Sequence, residues 1–388
     1  MADNKDKKVL NVPALRFPEF TGKWERHKLS EVCSFYSGGT PSSSKKEYYN
    51  GNIPFIRSGE LHKDNTELFI TEAGLSNSAA KLVETGDLLL ALYGATSGDI
   101  AISKIKGAIN QAILCIRTKQ NKKFIESVWN KHVERLLQTY LQGGQGNLSA
   151  DIVKNIPFYF ANSEEQDKLA KFISLLDKRI ATQNKIIEKL ETLIKGIIEL
   201  AFSHAATSNT LGCYITQISQ RNKIGKDLPV LSVSNKYGFV EQSEQFDDRI
   251  IASDDTSNYK IVNINDFAYN PARINVGSIA RLKNKECGIV SPMYICFRTL
   301  GNIIPEYLEL FFKTKQFSFE VNKRLEGSVR LCLQYEGLCE IVIPVLPVDK
   351  QQIWVTRITA LYAKLAIEKG LQNSFQAQKQ FLLSQMFI

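Results

Sequence analysis

Metal and nucleophile chemistry needs particular residues at fixed spacing, so the seven cysteines and four histidines of this 388-residue chain come first. Cys33, Cys115, Cys213, Cys287, Cys296, Cys332 and Cys339 form no C-x-x-C pair, and most sit among apolar neighbours. That pattern reads as free thiols in a reducing cytoplasm. His27, His62, His132 and His204 are scattered, so no zinc site is expected. There is no phosphate-cradling G-x-x-x-x-G-K-[ST] loop, no G-x-G-x-x-G turn after a strand and no G-x-S-x-G elbow. Asn270-Pro271-Ala272 lacks the second proline and the aromatic residue of an Asn-Pro-Pro-aromatic amine site, so it reads as a turn. The chain is expected to catalyse nothing alone.

What the side chains do suit is contact with nucleic acid. In the first half, the run from Phe35 to Leu61 mixes aromatics with bases around a tight turn. Its candidates are Tyr36, Ser37, Gly38, Thr40, Lys45 and Arg57; the Ser37–Pro41 turn could bring backbone N–H groups to a phosphate. In the second half, Arg221, Asn222 and Lys223 form one cluster and Asn270, Arg273 and Asn275 another. Arginine fits guanine N7/O6, and asparagine fits adenine N6/N7. Two glycine loops occupy corresponding places ahead of long helices, with Gln145 and Asn147 in one and Ser328 and Arg330 in the other. The competing readings are a hairpin with solvated lysines and turn-forming asparagines beside surface arginines. Arg117 and Arg298 end corresponding strands and read as structural.

The elements that position these residues occur twice. Lys81-Leu82-Val83 matches Lys260-Ile261-Val262, Asp87 matches Asp266, and Gly98-Asp99-Ile100-Ala101 matches Gly277-Ser278-Ile279-Ala280, all 179 residues apart. Solenoid repeats recur every 20–50 residues, so this is a duplicated domain. Each half begins with short β-rich runs and a shorter amphipathic helix, near 124–141 and 305–325, and ends in one long helix. Ser163 and Gln166 form a capping-box pattern at the start of the first long helix. Ile173, Leu176, Ile180, Ile187, Leu190 and Ile194 then follow a coiled-coil seam. Ile358, Leu361, Leu365, Phe375 and Leu382 continue the pattern in the second helix, 185 residues on. Gln183 and Glu368 interrupt both seams, as a register-fixing polar layer or as side chains that snorkel to water. A second stripe, Leu169, Phe172, Ile186, Leu193 and Leu200, implies burial of more than one face. Each helix of about 39 residues would run roughly 58 Å. The two are expected to pair antiparallel as a spacer.

Composition fits an ordinary folded protein, with 44% hydrophobic and 23% charged residues. Net charge is +9, spread along the chain, which points only weakly to nucleic acid. No apolar run suggests a membrane span, and the polar start carries no secretory signal.

The ordered set of motifs resembles the specificity (S) subunits of type I restriction–modification systems. The resemblance rests on SGGTPS (Ser37–Ser42), IPFIRSGEL (Ile53–Leu61) and ETGDLLLA (Glu84–Ala91). In the second half it rests on LPVLSVS (Leu228–Ser234), FAYNPARINVGSIA (Phe267–Ala280) and GIVSPMYICF (Gly288–Phe297). The helix from Glu164 to Ile197 is similar to the family's central conserved region; Trp354, Tyr362 and Gly370 depart from that pattern in the second helix. The resemblance implies an α/β (α+β) chain with two globular target-recognition domains, 1–162 and 205–347, in pseudo-two-fold arrangement. Two long antiparallel coiled-coil helices, 163–204 and 348–388, would separate them. It further implies double-stranded DNA as ligand, each domain reading half of a bipartite site, and docking of two modification subunits to give an adenine-N6 methyltransferase. Restriction subunits would add an ATP-dependent nuclease, with S-adenosylmethionine, ATP and Mg²⁺ held by these partners, in the cytoplasm. Two other classes stay open: a stand-alone DNA-modifying enzyme with one active site between its lobes, and a coiled-coil scaffold that binds no DNA.

Overall fold

The computed structural model describes residues 11–140, 147–203, 207–223, 225, 227–242, 256–327 and 330–388. The chain divides into two compact units, residues 1–184 with 371–388 and residues 185–370. Gln145 and Ser328 lie outside the described residues.

The first unit runs β1 (Glu25–Lys28), α1 (Leu29–Val32), β2 (Cys33–Ser37), β3 (Tyr49–Ile56), β4 (Phe69–Ile70), α2 (Glu72–Ser76), β5 (Lys81–Val83), β6 (Leu88–Ala91), β7 (Ile100–Ile102), β8 (Gly107–Ile109), β9 (Ile113–Thr118), α3 (Lys122–Tyr140), α4 (Ala150–Asn155) and β10 (Pro157–Phe160). One sheet has the order β2-β9-β6-β7 and another β4-β3-β8-β5, with β1-β10 as a ribbon. All of β6 is buried because side chains alternate across a middle layer. Leu88 and Leu90 face the core built with α3, whereas Leu89 and Ala91 face the core against the second sheet.

The second unit repeats this plan. Its strands are β11 (Thr207–Thr210), β12 (Ile215–Ile218), β13 (Val230–Ser234), β14 (Gly238–Glu241), β15 (Lys260–Asn263), β16 (Phe267–Tyr269), β17 (Ile279–Arg281), β18 (Cys287–Val290), β19 (Ile295–Thr299) and β20 (Val342–Val345). The orders β12-β19-β16-β17 and β14-β13-β18-β15, with ribbon β11-β20, match the first unit strand for strand. In each unit the only parallel pairing among described strands is the corresponding one, β3 with β8 and β13 with β18. Phe267 and Tyr269 face one core and Ala268 the other, as in β6.

Repeated residues explain the repeated geometry. Asp87 accepts from the Glu84 N–H and pairs with Arg117; Asp266 accepts from the Asn263 N–H and pairs with Arg298. Both arginines therefore tie the end of a strand to a tight turn. Gly86 and Asn265 occupy the same left-handed place in that turn (φ 90° and 72°), which glycine and asparagine tolerate best.

The long helices, α5 (Ser163–Ser203) and the C-terminal helix (Val348–Met386), have 41 and 39 residues. The second runs unbroken past Trp354, Tyr362 and Gly370. Asn162, not Ser163, caps α5: its Oδ1 accepts from the Glu165 N–H at 2.8 Å. Gln166 leaves the capping box for another task. Its Oε1 accepts from the Asn121 N–H and its Nε2 donates to the Ala161 carbonyl. Gln351 repeats both bonds with Ile304 and Leu346. The expected shorter helix is continuous in the first unit but breaks in the second into Pro305–Phe311 and Lys315–Lys323, where Thr314 caps a new turn.

Helix pairing is visible inside each unit. In the first, Asp177 pairs with Lys379, Arg179 lies over the Phe375 ring at 4.0 Å, and Gln372 donates to Asn184. Ascending numbers on one helix meet descending numbers on the other, so the segments are antiparallel. Ile173, Leu176 and Leu382 belong to that unit's core, and Ile180 faces Ala377 across the seam. In the second unit, Ile187, Leu190, Ile194, Ile358, Leu361 and Leu365 share a core, and Glu191 pairs with Lys369. Gln183 is buried and Glu368 half-buried, so the glutamine does enter the seam. The second stripe is a correction. Leu169 and Phe172 pack inward, but Ile186, Leu193 and Leu200 are exposed at 38%, 50% and 45%. Two helices cover one face of each other, and these three residues fall on the uncovered side.

Candidate nucleic-acid interface

The candidate surface is built by loops at the ends of the middle sheet. In the first unit, β6 leads into a loop over residues 92–99 that contains Tyr93, 38% exposed. Gly98 turns that loop with φ +87°, and the Trp129 indole donates to its carbonyl. The second loop, which ends in Asn147 and Leu148, is hydrogen-bonded to the first, since the Leu148 N–H donates to the Leu92 carbonyl. Leu92 also donates to the Ala112 carbonyl, and Gln111 accepts from the Thr40 hydroxyl at 2.7 Å. Thr40 and Asn147 thus stand at opposite ends of one connected loop edge.

The second unit has the corresponding pair. The Leu333 N–H donates to the Pro271 carbonyl, as Leu148 does to Leu92, and the Tyr269 hydroxyl donates to the Leu333 carbonyl. This joins the loop of Asn270, Arg273 and Asn275 to the loop of Arg330. Asn270 is spent in the turn, where its Oδ1 accepts from the Ala272 N–H. Arg273, Asn275 and Arg330 are exposed, and neither arginine makes an ion pair among the described residues. By contrast Arg57, Arg117, Arg281, Arg298 and Arg324 are each committed to a carboxylate. Uncommitted guanidinium groups beside an amide are what base-edge and phosphate contacts require.

Several other candidates make contacts within the fold. Gly38 lies so close to β8 that an added Cβ would fall 1.8 Å from the Ile109 carbonyl oxygen. Its N–H is already donated to the Asn110 carbonyl, so Gly38 serves packing against β8 and does not offer that N–H to a phosphate. Ser37 itself is exposed. Tyr36 donates to the Leu82 carbonyl with Arg117 over its ring. Burial, then the Cys115 contact, pushes its hydroxyl well above the usual phenol range. Lys45 donates to the buried Tyr48. Arg57 binds Glu60 and Glu67. Burial alone would raise Glu60, but bonds from Arg57, Thr66 and the Glu67 N–H outweigh it and hold the carboxyl at about 2. Asn222 is 1% exposed, so it cannot present its amide to a base. Arg221 is exposed and donates to Asn258, and Lys223 is exposed beside it.

The geometry also adds residues absent from the sequence-based set. His62 meets Asp99 at 2.8 Å, which raises its pKa and joins the turn after β3 to the loop after β6. In the second unit, the Ser278 hydroxyl donates to the Val233 carbonyl, which brings the turn of Asn235, Lys236 and Tyr237 to the Arg273 loop. Applying the 179-residue offset to Asn270–Asn275 would have pointed to Tyr93 directly.

Among the described residues no cluster of three or more His, Cys, Asp or Glu side chains could hold a metal ion. No helix among them is long and apolar enough to cross a membrane.

Comparison with known proteins places this architecture. Residues 21–192 match the type I restriction modification DNA specificity domain. The chain is 24% identical over 204 residues to the type I restriction enzyme MjaVIII specificity subunit of Methanocaldococcus jannaschii, covering 51% of this chain and 46% of that protein. It is 27% identical over 187 residues to the EcoR124I/EcoR124II specificity subunit of Escherichia coli, covering 45% of each. The matches thus span just under half the length of these curated relatives. Among solved structures, the S subunit of a type I restriction-modification system from M. genitalium aligns over 97% of this chain and 99% of its own, with a TM-score of 0.59 and 15% identity. A chain from a study of assembly and conformational transition of the type I R-M system aligns over 94% and 97%, with a TM-score of 0.58 and 14% identity. At these identities the likeness concerns the fold.

Proposed function

We propose that the chain is a member of the type I restriction–modification DNA specificity family and the sequence-reading subunit of such a complex, a reading supported by the family match over residues 21–192. Each unit reads one half of a bipartite double-stranded DNA site through its loop edge. The long helices set the interval and dock two modification subunits, to which restriction subunits add. The chain itself performs no bond chemistry: S-adenosylmethionine, ATP and Mg²⁺ belong to the partners. The observation that carries this reading is the duplication of one strand topology with the same hydrogen-bonded pair of loops in each copy. Duplicated frames with different exposed side chains suit two half-sites of different sequence.

The test is to sequence the methylome of a host carrying the full set of subunits. A split sequence with adenine methylation in each half is expected, together with salt-dependent DNA affinity of the complex. A continuous recognition sequence, or S-adenosylmethionine bound tightly by this chain alone, would contradict the proposal.

A further inference from the structure

The turn between β13 and β14 carries an exposed aromatic ring on a backbone that the fold holds in place. Ser234 Oγ accepts from the N–H groups of Lys236 and Tyr237, and Gly238 closes the hairpin with φ +71°. The hairpin is in register from Leu231–Glu241 to Ser234–Gly238, so the turn is anchored to its tip. At its base, Val233 accepts from Ser278 and donates to the Tyr294 hydroxyl. Asn235 packs against Gly277, 3.6 Å from the position a Cβ would take there. Yet Tyr237 is 70% exposed, the most exposed large apolar side chain among the described residues, and the Lys236 ammonium lies 4.9 Å from its ring centroid. A hydrophobic core would cover such a ring; here it projects from a turn that is joined to the loop of Arg273 and Asn275 through Ser278 and Asn235.

We infer that Tyr237 is a specificity-determining residue of the second half-site: its ring lies against the C5-methyl edge of a thymine in the major groove, with Lys236 on an adjacent phosphate. Such a contact needs an exposed ring on an anchored backbone and a nearby cation, and both are present. The element is not duplicated. The parallel pairs Phe55–Ala108 and Val230–Ile289 align Arg57 with Ser232, so the turn after β3 is the counterpart. There Arg57 is locked by Glu60 and His62 by Asp99, and residues 57–68 contain no Phe, Tyr or Trp. The inference rests on the reading of this chain as a DNA-specificity subunit.

The experiment uses the assembled complex and duplexes of its methylome-derived site, with 5-iododeoxyuridine placed singly at thymines of the second half. Photocrosslinking followed by peptide mass spectrometry is expected to place the link at Tyr237 for one position. Tyr237→Phe should keep the link and the affinity, whereas Tyr237→Ala should lose the link and weaken cognate binding roughly five- to hundredfold. Thermal melting checks that the exposed substitution leaves the fold intact. Links elsewhere, with unchanged binding by Tyr237→Ala, overturn the inference while leaving the family function standing if Arg273→Ala still alters recognition. A complex with no preference for any split site overturns both.

Discussion

Arg273 and Arg298 differ in what holds them. Arg298, bonded to buried Asp266, fastens a strand; Arg273 and Arg330 have no carboxylate to hold among the described residues. Arg273→Ala should therefore relax recognition at one base pair of the second half by about 1–3 kcal/mol and leave the melting temperature unchanged. Binding measured against all four base pairs at each position checks this, and a uniform loss at every sequence would assign Arg273 to phosphate instead. Glu60 provides a pH signature. Its carboxyl is held near 2, below an unfolded value near 4.5, so it stabilises the fold fully above pH about 5 and loses that contribution as pH falls toward 2. Because Arg57 is half-exposed, the contribution is about 1 kcal/mol. Melting from pH 7 to pH 3 should show a smaller decline for Glu60→Gln than for the parent; equal declines would contradict the assignment.

At the scale of elements, Gln166 and Gln351 join each long helix to the globular part of its own unit through two bonds from a buried amide. Gln166→Ala or Gln351→Ala leaves a buried N–H and a buried carbonyl without partners and should cost about 2–4 kcal/mol, measurable by chemical unfolding. Gln166→Glu should cost about as much, because a carboxylate cannot donate to the Ala161 carbonyl; a neutral effect would show that the bonds contribute little. Gln166 and Gln351 stand at the same 185-residue offset as the two seams, but that spacing does not reveal their role. The local pattern pointed to a capping box, whereas the fold lets Asn162 cap and frees the glutamine to bridge two segments distant in sequence. The seam was legible because its 3–4 spacing reports one face. The exposed stripe of Ile186, Leu193 and Leu200 was misread because spacing shows that residues share a face, not that something covers it. Gly38 was misread for a related reason: a glycine turn looks the same whether it must approach a phosphate or, as here, the Ile109 carbonyl.

For the whole molecule, the sequence repeat already announced two similar modules and two paired helices. It did not announce that the strand order would match copy for copy, because strand pairing is set by partners far apart in the chain. Adding four residues to each long helix at corresponding positions should change the number of unspecified base pairs between half-sites without changing either half; an unaltered interval would remove the helices from the role of ruler. The most direct test exchanges residues 1–162 for the corresponding domain of a type I specificity subunit and sequences the methylome of the resulting complex. The account predicts that one half of the recognition sequence changes while the other half and the interval stay fixed. Alteration of both halves, or of neither, in a folded and methylating complex would contradict it.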